Sequence, residues 1–514
     1  MTMMRKEVEK LKKMEEEARA GGGKKAIEKQ HAAGKLTARE RVDLLFDPGT
    51  FVEMNMFAQH QCHDFDMEKR RPLGDAVITG YGKIGGRTVF VYAQDFTVLG
   101  GTVGHIHAAK ICSIIDLATK TGAPVVGLVD TAGARIQEGT GTYGYIFAEN
   151  VIASGVVPQI SAIMGNCAGG GVYSPALTDF VFMVEGTAQM YITGPGVIKE
   201  VTGEEITMEE LGGAKTHSQV SGNCDVVAKN DEECLKSIRK LLSFLPQSFR
   251  DKPPVVPTKD DPNRCEESLL DIVPDNPRGA FDMKKVITAV VDDGDFYEIK
   301  ARFARNMITG FARLGGYPVG IVANQPMVGA GALDCDASDK AAHFYRTCDC
   351  FNVPIICLVD VPGYMPGVKE ERKGIIRHGA KMLYGLREAT VPIITCVIRK
   401  AYGGSIVAMG SKSIGADIVF AWPSAEIAIM GADGAVRLLY RREIEAAADR
   451  QQFILQKMEE YHNTFSTPYY AASNQYVDAV IRPDQTRPYL IKALETLWNK
   501  KVEFPPRKHG NIPL

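Results

Sequence analysis

No two of the eleven cysteines are separated by two residues, and the closest pair, Cys348 and Cys350, has one residue between them. The spacing of zinc ribbons and thiol redox motifs is therefore missing. An odd cysteine count, with Cys112, Cys357 and Cys396 in apolar runs, fits a reducing compartment and thiols packed in cores. Charge of one sign is also scarce: 60 Lys and Arg meet 62 Asp and Glu, for a net charge of −2. Without a concentrated basic stripe, nucleic acid and anionic membrane are poor candidates as the main partner. The one long uncharged run, residues 151–178, is interrupted by Pro158, Asn166, Pro175 and several glycines. It reads as two short buried strands around a glycine turn, not as a membrane helix. The first twenty residues mix Lys, Arg and Glu, unlike a signal or transit peptide. A P-loop, a Gly-x-Ser-x-Gly elbow and a His-Glu-x-x-His zinc motif are all missing. His105, His107, His378 and His462 have no metal-ligand spacing and read as surface or core histidines.

What the chain does have is one cassette written twice, 230 positions apart. Gly85-Gly86 returns as Gly315-Gly316, Lys110 as Lys340, Pro124 as Pro354, Leu128-Val129-Asp130 as Leu358-Val359-Asp360, and Gly133 as Gly363. Further on the register slips by four, so that Val157-Pro158 becomes Val391-Pro392 and Gly169-Gly170 becomes Gly403-Gly404. So long a period means two copies of a domain, since solenoid units run roughly 20–50 residues. A proline-rich stretch over 246–262 reads as the linker, which gives domains 1–252 and 253–514. Helices are expected over 4–18, 36–46, 110–120, 339–351, 374–389 and 441–461. Strands are expected over 76–81, 87–94, 125–130, 318–324, 355–360 and 393–398. This alternation indicates an α/β layer architecture.

The repeated glycines mark places where backbone N–H groups can face a ligand. Gly169-Gly170-Gly171 follows an apolar strand and precedes Val172-Tyr173-Ser174, and Gly403-Gly404-Ser405 repeats the arrangement. Amides exposed at a strand-to-helix turn suit an oxyanion hole. Close helix–strand packing selects glycine too, but two copies at equivalent places favour function. Asp130 and Asp360 each end a strand, where a general base and a turn-fixing carboxylate are both possible. Residues 139–144 match Gly-x-Gly-x-x-Gly, but they do not directly end a strand and no acidic partner follows. They read as a flexible loop beside a ligand.

Several of these segments resemble the biotin-dependent acyl-CoA carboxyltransferases. The matching stretches include Asp130-Thr131-Ala132-Gly133-Ala134-Arg135, Gly165-Asn166-Cys167-Ala168-Gly169-Gly170 and Ile192-Thr193-Gly194-Pro195. In the second copy they include Asp360-Val361-Pro362-Gly363, Gly374-Ile375-Ile376-Arg377-His378-Gly379-Ala380-Lys381 and Arg399-Lys400-Ala401-Tyr402-Gly403-Gly404. The resemblance covers nearly the whole chain. It is nearest to propionyl-CoA carboxylase β-subunits, methylmalonyl-CoA decarboxylase α-subunits and the transcarboxylase large subunit.

This resemblance implies two crotonase-like domains, a homohexamer of two stacked trimers, and sites shared between copies. It implies carboxyl transfer between carboxybiotin and a short acyl-CoA without a side-chain base, through two enolates held in two oxyanion holes. Carried onto this chain, the Gly169 and Gly170 amides serve the thioester oxygen, and the Gly404 and Ser405 amides serve the biotin ureido oxygen. Val407, Gly133 and Ala134 are implied to bind substrate, and no metal is expected. No Ala-Met-Lys-Met biotin-attachment motif is present, so biotin is expected on a separate carrier protein. The further partner would be a biotin carboxylase subunit, a membrane decarboxylase subunit or a transcarboxylase acceptor. A cytoplasmic location is expected, with membrane attachment only through a partner. Ser405 stands where carboxylases often have Ala, and Val407 where propionyl-CoA carboxylases often have Asp. Residues 369–373 depart from the family pattern, and the loop 139–145 is shorter than usual. A crotonase-type hydratase or hydrolase, which usually needs a placed Glu or Asp, and a scaffold that kept only the fold are the alternatives.

Overall fold

Two eight-stranded sheets have the same strand order, one in each of two compact units, Met1–Lys252 and Pro253–Leu514. The computed structural model describes residues 2–139, 141–276 and 279–514. The first sheet contains β1 (Val52–Met54), β2 (Val77–Ile84), β3 (Arg87–Gln94), β4 (Val125–Thr131), β5 (Gln159–Ala168), β6 (Phe180–Val184), β7 (Gln189–Tyr191) and β8 (Val226–Ala228). Its order is β1-β2-β3-β4-β5-β6-β8, with β7 beside the end of β5. The second contains β9 (Tyr297–Ile299), β10 (Met307–Leu314), β11 (Tyr317–Asn324), β12 (Ile355–Val361), β13 (Ile393–Tyr402), β14 (Ile418–Ala421), β15 (Glu426–Ala428) and β16 (Ala479–Val480). Its order is β9-β10-β11-β12-β13-β14-β16, with β15 beside the end of β13.

The sequence explains this pattern locally. β2 and β3 are antiparallel across Gly85-Gly86, both at positive φ, as a two-residue hairpin turn requires. Asp47 accepts hydrogen bonds from both turn amides, at 3.2 and 3.0 Å. Asp292 does the same for Gly315 and Gly316, at 2.9 and 2.7 Å. These repeated glycines therefore serve the hairpin and face no ligand, contrary to the general reading of repeated glycines above. β4 and β12 are buried along their whole length, as apolar strands at the centre of a parallel sheet should be. The repeated lysines are structural. Lys110 Nζ donates to the carbonyls of Gly74 and Val77, and Lys340 Nζ to those of Lys300, Phe303 and Met307. Burial pulls the Lys110 amine down to about 8.

Several local expectations need correction. Residues 151–178 hold the end of the helix Thr142–Ala153, a single ten-residue strand β5 and a short helical turn, not two strands. Alternate burial cannot mark the end of a strand that is covered on both faces. The helix expected over 441–461 is two helices, Arg441–Ala446 and Arg450–Tyr461, because Asp449 caps the second through the Gln452 amide. The helices expected from 110 and 339 begin five and four residues earlier, as His105–Thr121 and Cys335–Cys350. Lys24–Ala32 is a helix that was not anticipated. All eleven cysteines are free; seven are buried, but Cys62, Cys112 and Cys350 are half-buried and Cys265 is exposed.

Candidate functional site

β5 and β13 are both ten residues long and end at equivalent places. In each sheet the register against the preceding strand shifts near its end, between Val129 and Thr131 and between Val359 and Val361. Asp130 and Asp360 sit at these irregularities, fully buried. Asp130 is paired with Lys35 at 3.0 Å and with Arg41 at 3.1 Å, and Arg41 also reaches Asp231 at 2.7 Å. Asp360 is paired with Arg399 at 2.8 Å and accepts from the Lys400 amide at 2.9 Å. Both carboxylates are committed to ion pairs, so the turn-fixing role applies and the general-base role does not.

Beyond the strands the chain turns at glycine. Gly169 has φ +64° and Gly403 has φ +59°, a conformation that disfavours any side chain. Gly171 is tightly packed, since a Cβ there would lie 2.9 Å from the Tyr143 hydroxyl oxygen and the ring would have to shift. Gly170 and Gly404 are different. Neither has positive φ. A Cβ on Gly404 would meet nothing within 4 Å, and one on Gly170 would touch only Tyr143, at 3.7 Å. Within each domain, close packing therefore does not explain these two glycines. Both lie in the first turn of a short helical segment, Gly169–Val172 or Gly403–Ala408, where N–H groups have no intrahelical carbonyl to bond. An open backbone donor at the end of a buried strand is what an oxyanion requires.

The Gly133 turn and Tyr143 pack against the first-domain glycine turn. A Cβ on Gly133 would lie 3.1 Å from the Ala168 carbonyl, so the Gly133 turn abuts the end of β5. Ala134, exposed, bridges to Val103. Arg135 holds this turn through Asp75 at 2.6 Å, Glu138 at 2.7 Å and the Thr102 carbonyl at 2.7 Å. Residues 142–144, expected in a loop, start the helix Thr142–Ala153, while Thr140 lies outside the described residues. Tyr143 packs beneath the glycine turn, and burial pushes its phenol far up. Of the four histidines, His378 is half-buried and paired with Asp339 at 2.8 Å. His107 is fully buried, and burial followed by the Arg135 charge holds its imidazole well below the usual range.

In the second domain Gly403, Gly404 and Val407 line one cavity of about 710 Å³. Its walls include Ile429, Leu439, Tyr461, Phe465 and Tyr470. That volume lies within the usual range for small-molecule sites. Ser405 is buried, and its hydroxyl turns back to donate to the Tyr402 carbonyl at 2.6 Å. The Tyr402 hydroxyl donates to the Glu426 carboxylate, which ties β13 to β15 just before the glycine turn. Burial first, then Glu426, push the Tyr402 phenol far above its usual range. Neither Tyr143 nor the Tyr402–Glu426 pair was singled out from sequence. An aromatic beside the repeated glycines was the only signal for either.

Comparison with known proteins agrees with this fold. The family model described as the carboxyl transferase domain matches residues 29–512. The chain is 54% identical to the methylmalonyl-CoA decarboxylase subunit alpha of Propionigenium modestum, over all of both chains. It is 52% identical to the propionyl-CoA carboxylase beta chain of Roseobacter denitrificans, over 99% of each. Among solved structures, transcarboxylase 12S, a hexamer with methylmalonyl-coenzyme A and methylmalonic acid bound, superposes with a TM-score of 0.98. The two are 50% identical over 100% of this chain and 99% of that one. The duplicated α/β units are thus crotonase-like, as expected. With its fold and its whole length accounted for in this way, the chain belongs to the carboxyl transferase domain family and is an enzyme of biotin-dependent acyl-CoA carboxyl transfer.

Proposed function

We propose that this chain moves a carboxyl group between carrier-borne biotin and propionyl-CoA or methylmalonyl-CoA, using one oxyanion hole in each domain. The observation that carries this reading is the pair Gly170 and Gly404, glycines that neither backbone angle nor neighbouring atoms require. The Gly169 and Gly170 amides hold the thioester oxygen as negative charge develops on it. The Gly404 and Ser405 amides hold the ureido oxygen. The cavity beside Gly404 suits biotin, with room for a bicyclic ligand and walls that are mostly apolar. When bound, carboxybiotin supplies the carboxyl group and, once decarboxylated, the base for the acyl α-proton. The protein's part is to bind, align and exclude water, with donors already in place. Removing one such donor typically costs ~100–1000-fold in rate.

Val407 lines the same cavity as Gly404, where the acyl group would meet biotin, with Gly133 and Ala134 at the edge of the first-domain turn. Each domain, 1–252 and 253–514, is read as one carboxyltransferase half. The chain acts as a homohexamer in which the first domain of one copy faces the second domain of another. Exposed apolar side chains around both turns support this: Tyr145, Val151 and Ile152 in the first domain, Leu438, Leu439 and Leu455 in the second. The biotin carrier is a separate protein. The remaining partner, a biotin carboxylase or a membrane decarboxylase subunit, decides the direction, because both directions pass through the same two holes. Among the described residues no helix is long and apolar enough to cross a membrane. A cytoplasmic location, with a membrane reached only through the partner, is part of this reading. The test is transfer from methylmalonyl-CoA to free biotin by the purified chain. Release of propionyl-CoA that depends on biotin is expected; hydration or simple thioester hydrolysis would overturn the reading.

A further inference from the structure

The two domains match in fold but not in the charge beside their glycine turns. In the first, residues 136–144 contain no Lys or Arg. In the second, the corresponding segment is a short helix, Val368–Lys373, between Gly367 at φ +135° and Gly374 at φ +95°. It carries Lys369, Arg372 and Lys373, and Arg377 follows in the helix Ile375–Glu388, which packs against Gly403–Ala408. Of the two acids in this segment, exposed Glu371 offsets one cation, while Glu370 is committed elsewhere and offsets none at the surface. Glu370 is buried and accepts from the Cys335 amide at 3.2 Å, just as Glu138 accepts from the His105 amide at 2.8 Å. That bond anchors the segment in both domains. Lys373 is taken up by Asp336 at 3.1 Å. Lys369 and Arg372, three residues apart on one helix face, are exposed, and no ion pair engages them among the described residues. Arg377 is exposed as well.

We infer that Lys369, Arg372 and Arg377 form a docking surface for the acidic face of the biotin-carrying protein, beside the turn assigned to biotin. The inference rests on the reading above that biotin arrives on a separate carrier. A phosphate subsite would gather its donors at one point and shield them; these cations are spread along an exposed helix and the start of the next. Spread charge of this kind steers and orients a macromolecule more than it tightens a small ligand. Its absence from the first domain fits a function needed beside one turn only.

The test compares the double variants Lys369→Glu/Arg372→Glu and Lys369→Gln/Arg372→Gln with the parent enzyme. The probes are the biotin-bearing protein that co-purifies with the chain, free biotin, and methylmalonyl-CoA. The charge-reversed variant should lose about tenfold in kcat/KM for the carrier at low ionic strength, the neutral variant less, and added salt should close the gap. Activity with free biotin and KM for methylmalonyl-CoA should not change. A raised KM for the acyl-CoA would assign the cations to its phosphates and overturn the inference. Equal loss with carrier and free biotin, or no loss at all, would overturn it too. A parent enzyme that uses free biotin but no carrier would refute the separate-carrier reading itself, before any variant is compared.

Discussion

Asp179 in the first domain and Asp417 in the second hold the same place. Each accepts a hydrogen bond at 2.8 Å from the first amide of the strand that leads to the glycine turn, Gln159 N or Ile393 N. Among the described residues only Asp417 has a cation opposite, Lys500 at 2.8 Å. Burial first, then the charge of Asp225, raise Asp179 to about 7.

This asymmetry predicts a pH effect on stability. The folded-state value of Asp179 lies above the ordinary carboxylate value of ~4, so the folded state holds that proton more tightly than the unfolded chain. The resulting stability is present at low pH and is lost as pH rises from about 4 through 7. Asp179→Asn keeps an acceptor for the Gln159 amide and removes the charge. Its Tm should exceed that of the parent by ~2–4 °C near pH 8, and calorimetry should find the gap shrinking towards pH 5. A variant less stable than the parent at both pH values would contradict this.

Tyr402→Phe should lower kcat for transfer to biotin about tenfold, in line with loss of one hydrogen bond to a charged group. The hydroxyl to Glu426 braces the residue that precedes Gly403, while the ring would still cover Gly431. The KM for acyl-CoA and the Tm should change little. A fall in Tm in proportion to the lost activity would make the tyrosine merely structural.

Val407→Asp should change the ranking of acetyl-, propionyl- and butyryl-CoA products in kcat/KM while transfer to biotin persists. Val407 shares its cavity with Gly404. A methylene is worth only ~1–3 kcal/mol in an apolar pocket, so modest ratio shifts are expected. Unchanged ratios would remove Val407 from the acyl pocket, and complete loss of activity would place it in support of the biotin-side turn.

The duplication, the α/β class and both glycine turns were legible in the sequence because they depend on Gly, Pro and Asp held in register. The hairpin at Gly85-Gly86 needs positive φ wherever it occurs, so its two copies keep the same residues. Other features lay beyond reach because they depend on contacts distant in the chain. Arg41 joins Asp130 and Asp231 across 89 and 190 positions, and nothing local marks it. Periodicity located the helix cores but missed two starts: His105, whose amide is held by Glu138 from far along the chain, and Cys335, where Asp334 caps the helix through the Ala337 amide and distant Glu370 accepts from the Cys335 amide. Sequence also could not separate Gly170 from Gly171. Only the surroundings show that a side chain would press on Tyr143 at the second and not at the first.

That difference supplies the most direct measurement. Gly170→Val and Gly404→Val place side chains where the protein itself leaves room or nearly so. Each variant should keep the Tm of the parent within ~2 °C, since the cost of a β-branched residue in a short helical turn is only a few tenths of a kcal/mol. Each should also lose at least ~100-fold in kcat/KM for carboxyl transfer, because the new side chain stands between the amides and the oxygen they hold. Full activity in either variant, or a loss of activity matched by a loss of fold, would contradict the two-hole account.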